Sequence, residues 1–193
     1  MSIRVAGIAG SLRAGSLNKG LLRAAVESAP AAMEIAIFDR LGDIPAYNDD
    51  VFAKGDPEPV ADMKAFIGGA DALLIATPEY NYGVPGVLKN AIDWASRPAG
   101  KSVLNRKPAA IMGCSPGLGG TIRAQHALRQ SFVFTDTYVM SQPEIKIPSA
   151  AQLFDETGKL IDESTRQHLK KFLEAFVVWI SRSRFSRAAE VST

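Results

Sequence analysis

Short apolar runs alternate with amphipathic stretches along nearly the whole chain. An apolar run bounded by turn residues is typical of a buried parallel strand, and apolar residues three or four apart are typical of a surface helix. The pattern predicts strands at 3–9, 34–38, 71–76 and 108–113, and a last strand within 137–147. It predicts helices at 17–25, 57–68, 85–95 and 121–132, and a final helix whose apolar positions are Leu169, Phe172, Leu173, Phe176, Val177 and Ile180.

Strands that alternate with helices predict an α/β fold, a doubly wound five-stranded parallel sheet with helices on both faces. The apolar face of the last helix favours packing on that sheet over contact with a membrane or a partner helix. Residues 39–56 predict a long surface loop. We expect one domain over residues 1–181 and a short basic C-terminal tail over 182–193, whose arginines are Arg182, Arg184 and Arg187.

The composition narrows the classes of function. With 22 basic and 20 acidic side chains and a net charge of +2, no strong field favours nucleic acid or an anionic membrane as partner. One cysteine excludes an internal disulfide, and one cysteine with two histidines cannot build the usual zinc sets. The sequence has neither an apolar run of membrane-spanning length nor a signal-peptide pattern at its start. We therefore expect a cytoplasmic protein that acts on small molecules.

The loop after the first strand, residues 10–18, carries the first candidate site. It opens directly into a helix, whose N-terminus offers unpaired N–H groups and a positive dipole end to an anion. Ser11, Ser16 and Asn18 can donate hydrogen bonds to a phosphate, and Arg13 can add a charge-assisted pair. The loop matches neither the P-loop nor the dinucleotide glycine fingerprint, which favours a mononucleotide. The alternative is that Ser16 simply caps the helix.

The loop after the third strand, residues 77–86, is expected at the same edge of the sheet. It combines a rigid Pro78 with Tyr80 and Tyr82, and with glycines that permit close approach. Backbone N–H groups of residues 79–81 can bond the electron-rich edge of a flat heterocycle while a tyrosine borders its face. Taken alone, this segment is equally typical of an ordinary surface loop.

Three segments together carry a resemblance. GSLRAGSLN, ATPEYNYGVPGVLKNAIDWASRP and GCSPGLGGTIRAQHALRQ resemble the NADPH-dependent FMN reductase family, which includes quinone, azo-compound and chromate reductases. The resemblance implies a flavodoxin-like sheet of order 2-1-3-4-5, non-covalent FMN, NAD(P)H as co-substrate, and a homodimer or homotetramer. It implies that FMN is bound by these residues: Ser11, Arg13, Ser16, Leu17, Asn18, Pro78, Glu79, Tyr80, Asn81 and Ser115. Cys114 stands where many relatives are expected to have a small residue such as Ala.

Two hypotheses of function follow. In the first, the protein is an enzyme that passes hydride from NAD(P)H through FMN N5 to a quinone, azo compound, free flavin or chromate by a ping-pong mechanism, with no catalytic side chain. In the second, it is a flavodoxin-type electron carrier without a nicotinamide site. Such carriers tend to be strongly acidic, whereas this sequence has a pI near 8.7.

A third class, the serine hydrolases, is suggested by residues 113–117, which match Gly-x-Ser-x-Gly, with His168 later in the chain. The residue after the nucleophile must give its backbone N–H to the oxyanion hole, and Pro116 has none, which argues against this reading. We expect His126 and His168 to be surface or interface residues, and Asp93 to have a structural role near Trp94.

A quaternary hypothesis rests on residues that flank the same loop. Arg123, Arg129 and Glu144 are candidates for ion pairs between subunits.

Overall fold

The computed structural model describes residues 2–191, except for the side chains of residues 184–191. Its strands all pair in parallel, in the order β2-β1-β3-β4-β5, and a sixth short strand also pairs with β4. The strands are β1 (Ile3–Ala9), β2 (Met33–Phe38), β3 (Ala72–Ala76), β4 (Pro108–Cys114), β5 (Tyr138–Val139) and β6 (Ile145–Ile147). The expected flavodoxin-like order 2-1-3-4-5 is confirmed.

The last strand differs from the prediction because it is divided. Tyr138 lies opposite Pro108 at the start of β4, and Ile145 lies opposite Met112 near its end. Met140, directly after β5, still donates its backbone N–H to the carbonyl of Ala109 at 2.8 Å. Further along this connection Pro143 has no N–H to donate. The predicted range 137–147 was right, but it holds two short strands instead of one, so the sheet has six strands in the part of the chain described.

Helices close the crossovers as predicted, and the four helices for which bounds were predicted begin and end within a few residues of them. They are α1 (Leu17–Glu27), α2 (Asp49–Phe52), α3 (Glu58–Gly68), α4 (Gly86–Ala95), α5 (Ile122–Phe134) and α6 (Glu163–Val191). The segment 39–56, predicted as a loop, contains α2 and a short 3-10 helix at Leu41–Asp43.

The end of the chain bears on the predicted tail. Helix α6 continues through Val191, so the backbone of residues 182–191 belongs to that helix. The side chains of Arg184 and Arg187 and residues 192–193 lie outside the described part. The boundary at residue 182 stays a prediction.

Two apolar layers cover the sheet. On one face α1 and α6 bury Leu21, Leu22, Phe172, Leu173 and Phe176, and the predicted stripe of α6 is buried except for the partly buried Val177. On the other face α3, α4 and α5 bury side chains that include Met63, Trp94 and Phe132. None of the helices described is long and apolar enough to cross a membrane.

Candidate functional site

The carboxyl ends of β1, β3 and β4 border one open cleft of about 250 Å³. Its lining residues are Ser11, Arg13, Ser16, Leu17, Asn18, Pro78, Glu79, Tyr80, Cys114, Ser115 and Pro116. Every predicted site residue is therefore in one place except Asn81, which is not among the lining residues. Cys114 and Pro116, the sequence neighbours of Ser115, also line the cleft, as the family resemblance implies for Ser115 and its neighbours.

The β1 loop, residues 10–16, presents polar groups over the start of α1. Ser16 is the N-cap of this helix, and its Oγ accepts a hydrogen bond of 3.4 Å from the backbone N–H of Lys19. The first turn of α1 contains no acidic residue, so the positive end of the helix dipole is left uncompensated. Arg13 is exposed, and its one hydrogen bond within the described part of the chain is donated to the carbonyl of Gly15, at 2.9 Å. This arrangement suits an anion with several acceptor oxygens.

Asn18 lines the cleft as predicted and also has a structural role. It is buried, its Nδ2 donates to the carbonyl of Cys114 at 2.9 Å, and its Oδ1 accepts from the N–H of Cys114 at 3.0 Å. Both ends of the side-chain amide thus connect α1 to the end of β4. The second N–H of Nδ2 and the backbone N–H at the start of α1 are the groups of Asn18 that could bind a phosphate.

The β3 loop, residues 77–85, is held at its base by close packing against β4. A Cβ on Gly113 would lie 2.4 Å from the carbonyl oxygen of Thr77 and 2.2 Å from Oγ1 of Thr121. No side chain fits there, so β4, α5 and the β3 loop approach one another at the distance that only glycine permits. Thr77 also donates its backbone N–H to Met112, at 2.9 Å.

The tip of the β3 loop is a two-residue turn. Tyr80 and Gly83 exchange backbone hydrogen bonds of 3.1 and 2.9 Å. Between them Asn81 and Tyr82 have φ values of 48° and 64°, the pair of left-handed residues that a type I′ turn requires. Asn tolerates this region, but Tyr82 is strained in it, and the guanidinium of Arg123 lies 3.9 Å from its ring centre.

Glu79 caps a helix that is distant in sequence. The N-cap residue of α5, Thr121, makes no side-chain capping bond. Instead Oε2 of Glu79 accepts from the N–H groups of Arg123 and Ala124, at 2.9 and 3.1 Å, and Oε1 lies 3.6 Å from the Arg123 guanidinium. The carboxylate satisfies two of the free donors at the helix start and lies at the positive end of its dipole. Sequence reasoning missed this role, because nothing local relates residue 79 to residue 123.

Two further contacts complete the cleft. Ser11 Oγ and Tyr80 Oη lie 3.3 Å apart, which joins the two loops directly. Ser115 Oγ accepts from the N–H of Gly117 at 3.1 Å.

Burial raises the pKa of the Cys114 thiol to about 12, so this group is neutral at physiological pH. Cys114 is therefore a packing residue and a poor nucleophile.

The remaining candidates lie outside the cleft. His126 and His168 are exposed on α5 and α6. Asp93 forms an ion pair with Lys89 at 2.6 Å on the surface of α4, while Trp94 Nε1 donates to the carbonyl of Pro45. In the part of the chain described, no three His, Cys, Asp or Glu side chains are grouped so that they could hold a metal ion.

The predicted interface charges have partners within the chain. Lys146 donates to Glu144 and, by that hydrogen bond above all, holds the pKa of the carboxyl below its usual range. Arg129 donates to the carbonyl of Met140 at 2.9 Å. Their use between subunits stays a prediction.

Comparison with known proteins gives a consistent result over the whole chain. A family model described as NADPH-dependent FMN reductase matches residues 3–152. An NAD(P)H-dependent FMN reductase from Pseudomonas aeruginosa is 49% identical over 182 residues, which cover 94% of this chain and 97% of that protein. A quinone reductase from Pseudomonas putida is 46% identical over 93% of this chain and 96% of its own length.

Comparison with solved structures shows which proteins share this fold. FerB from Paracoccus denitrificans, a flavoenzyme NAD(P)H:(acceptor) oxidoreductase, has a TM-score of 0.85 and 41% identity over 94% of this chain and 98% of its own. A flavodoxin variant from Pseudomonas aeruginosa has a TM-score of 0.55 and 16% identity, covering 93% and 99% of the two chains. The second likeness is one of fold alone.

Proposed function

This chain belongs to the NADPH-dependent FMN reductase family, and we propose that it is an FMN-dependent NAD(P)H oxidoreductase that reduces small acceptors such as quinones. One observation supports the proposal above the others. Loops that lie far apart in sequence converge on a single cleft that has an anion site at one end and a rigid, aromatic-bordered loop at the other. Such a cleft at the carboxyl edge of a doubly wound sheet is where this architecture binds nucleotides.

The charges of the residues that line the cleft fit the phosphate of FMN. Arg13, the hydroxyls of Ser11 and Ser16 and the first N–H groups of α1 would hold the phosphate. Glu79, the one acidic residue lining the cleft in the part of the chain described, has its carboxylate turned to the start of α5 and to Arg123. Its charge is therefore compensated by the protein, and a phosphate in the cleft meets Arg13 without an opposing free carboxylate.

The other end of the cleft would hold the isoalloxazine. Pro78, Glu79, Tyr80 and the Asn81 backbone are proposed to border the ring, and Ser115 to border the ribityl chain. Bound FMN supplies hydride acceptance from NAD(P)H and electron delivery to the second substrate. The protein's part is to bind and orient, and no side chain in the cleft is assigned proton transfer because its open rim admits water.

A ping-pong order is part of the proposal. Both substrates must reach the same flavin ring, so the nicotinamide and the acceptor are expected to occupy the same place in turn. In steady-state kinetics, NAD(P)H and quinone should give parallel double-reciprocal lines. Intersecting lines would show a ternary complex and refute the shared place.

A flavodoxin-type carrier is the competing function, since a flavodoxin has the same fold. The net charge of +2 argues against it, because flavodoxin-type carriers tend to be strongly acidic overall. Rapid mixing of the FMN-loaded protein with NADPH or NADH under anaerobic conditions decides between them. An enzyme loses its flavin absorbance within the turnover time and regains it on addition of quinone. A carrier stays oxidised until a separate reductase is added.

The remaining parts of the proposal concern the domain organisation, the assembly and the location of the protein. We propose a single domain over residues 1–181, assembly as a homodimer or homotetramer, and a cytoplasmic setting. Val133 and Phe134 at the end of α5 are 80% and 76% exposed, an apolar surface that assembly would cover. Light scattering after size-exclusion chromatography tests this directly, and the mass of a single chain would refute assembly.

A further inference from the structure

A second cleft of about 230 Å³ lies beside the first, at the carboxyl ends of β1 and β2. Its walls are mostly apolar and come from α1, the β1 loop and the end of β2. Nothing in the function proposed above uses this cleft. It has the composition of a small-molecule site, with an apolar lining and a few charged groups.

The two clefts are continuous along the edge of the sheet. Ser11 lines both of them. Neighbouring strands lie about 4.8 Å apart, so a cleft over β2 and β1 and a cleft over β1, β3 and β4 have centres roughly 7 Å apart along the sheet. In doubly wound sheets a dinucleotide crosses the strand edge in this way, with one nucleotide on each side of the point where strand order reverses.

The charged groups of the second cleft suit a nucleotide. Lys19 and Arg23 lie four residues apart on α1 and border it from one side. Their hydrogen bonds, of 3.3 and 3.1 Å to the carbonyls of Leu12 and Gly158, leave further N–H groups for phosphate oxygens. Asp39 follows β2 directly and is exposed. This is the position from which a carboxylate accepts a hydrogen bond from an adenosine ribose in dinucleotide folds.

The apolar groups suit a flat base. Leu12 is 51% exposed and Ile37 is 39% exposed, and both line the cleft. These aliphatic side chains are open to water beside three charged groups. An aromatic ring that covers them removes apolar surface from water, which favours binding. Leu12 belongs to the β1 loop, so the same segment would contact FMN on one side and the base on the other.

We propose that the second cleft binds the adenosine-phosphate half of NAD(P)H, with Asp39 accepting from the ribose and with Lys19 and Arg23 binding the phosphates. The inference rests on the proposed function, because it names the place of that function's co-substrate. Asp39 also sets the selectivity between NADH and NADPH. Its carboxylate accepts a hydrogen bond from the 2′-hydroxyl of NADH and repels the 2′-phosphate of NADPH. The neighbouring Arg40 does not offset this repulsion, because it is held in ion pairs with Asp43, Glu58 and Asp62.

The first test is the binding of ADP-ribose to the FMN-loaded protein, measured by titration calorimetry. ADP-ribose lacks the nicotinamide and reports on this cleft alone. We expect Arg23→Ala to weaken its binding about tenfold or more, the usual effect of losing a hydrogen bond to a charged group. Lys101→Ala, which removes an exposed cation from the loop between α4 and β4, should leave the affinity unchanged. Absence of ADP-ribose binding to the wild-type protein, or equal affinity in all three proteins, overturns the proposal.

The second test compares three reductants. Reduced nicotinamide riboside has neither the adenosine nor the phosphates, so Arg23→Ala and Asp39→Ala should oxidise it at wild-type efficiency while the KM for NADH rises several-fold. Asp39→Ala should also shift the ratio of KM values about tenfold in favour of NADPH. Failure of the proposed function looks different, because the wild-type protein would then oxidise none of the three. Equal losses with the riboside and with NADH would assign these residues to general stability and overturn the proposal.

Discussion

The β1 loop and the β3 loop border the same cleft but are built in different ways. Residues 12–15 of the β1 loop are exposed, and the side-chain bonds of Arg13 and Ser16 are local, to Gly15 and Lys19. The side-chain contact of this loop with a distant residue is the one between Ser11 and Tyr80, at 3.3 Å, on its border with the β3 loop. The β3 loop is fixed by distant residues. Gly113 packs at its base, and its Glu79 side chain binds the start of α5, 44 residues further along the chain.

This difference indicates a division of tasks. A phosphate is a flexible ligand with many acceptors, so a loop with exposed donors can adjust to it. A flat ring has edges at fixed positions, and donors for it must be pre-positioned by surrounding structure. We infer that substitutions in the support of the β3 loop change stability and binding together, whereas substitutions in the β1 loop change binding alone.

The largest expected effect is at the base of the β3 loop. Gly113→Ala forces a methyl group against the Thr77 carbonyl, and overpacking of this kind costs about 3 kcal/mol of unfolding free energy. Urea denaturation monitored by circular dichroism measures it. The matched control is Gly117→Ala, whose added Cβ would have its nearest neighbour, Ser115 Oγ, at 3.5 Å. A loss at Gly113 no greater than that at Gly117 would show that the close packing is not needed.

The next effect is at the long-range cap. Glu79→Ala leaves the start of α5 without its acceptor and should lower the unfolding free energy by about 1 to 2 kcal/mol, as loss of a helix cap does. Glu79→Gln keeps an oxygen acceptor and should recover at least half of that loss. FMN affinity should follow the same order, because the cap positions the β3 loop. If Glu79→Ala is as stable as the wild type, the β3 loop does not depend on this contact.

The smallest effect is at the tip. Tyr82→Gly relieves a left-handed residue, which is worth about 1 kcal/mol or somewhat more. It also removes the stacking of Arg123 and adds the chain entropy of glycine, two losses of about 0.5 to 1 kcal/mol each. The unfolding free energy should therefore change by less than about 1 kcal/mol. A larger loss would mean that the exposed Tyr82 supports the β3 loop as strongly as Glu79 does, and the tip would then belong to the rigid support.

Much of the fold was predictable because its signals are local. The strand β1 was predicted to the residue, and the apolar periodicity of α6 correctly located the buried face. The divided last strand was not predictable from hydrophobicity, since Ile145 and Tyr138 pair with opposite ends of β4. Pro143 was the available signal, because proline within a predicted strand argues against continuous pairing.

The candidate site shows the same limit. The residues that line the cleft were named from motifs and from the position of the loops at one sheet edge. Their roles were harder to assign, because the sequence gives polar residue types without their partners. Asn18 and Glu79 were predicted as ligand-contacting residues, and both line the cleft, but both also bind backbone groups of β4 and α5. Only the tertiary structure separates residues that contact a ligand from residues that support those contacts.

The most direct test of the account is titration of the flavin-free protein with FMN, followed by quenching of flavin fluorescence. We predict one FMN per chain, and a Kd that rises about tenfold to a hundredfold in Arg13→Ala, the effect of losing a charge-assisted hydrogen bond to phosphate. The unfolding free energy of the flavin-free Arg13→Ala protein should equal that of the wild type, and Lys101→Ala should change neither quantity. Wild-type FMN affinity in Arg13→Ala would contradict the assignment of the β1 loop as the phosphate site.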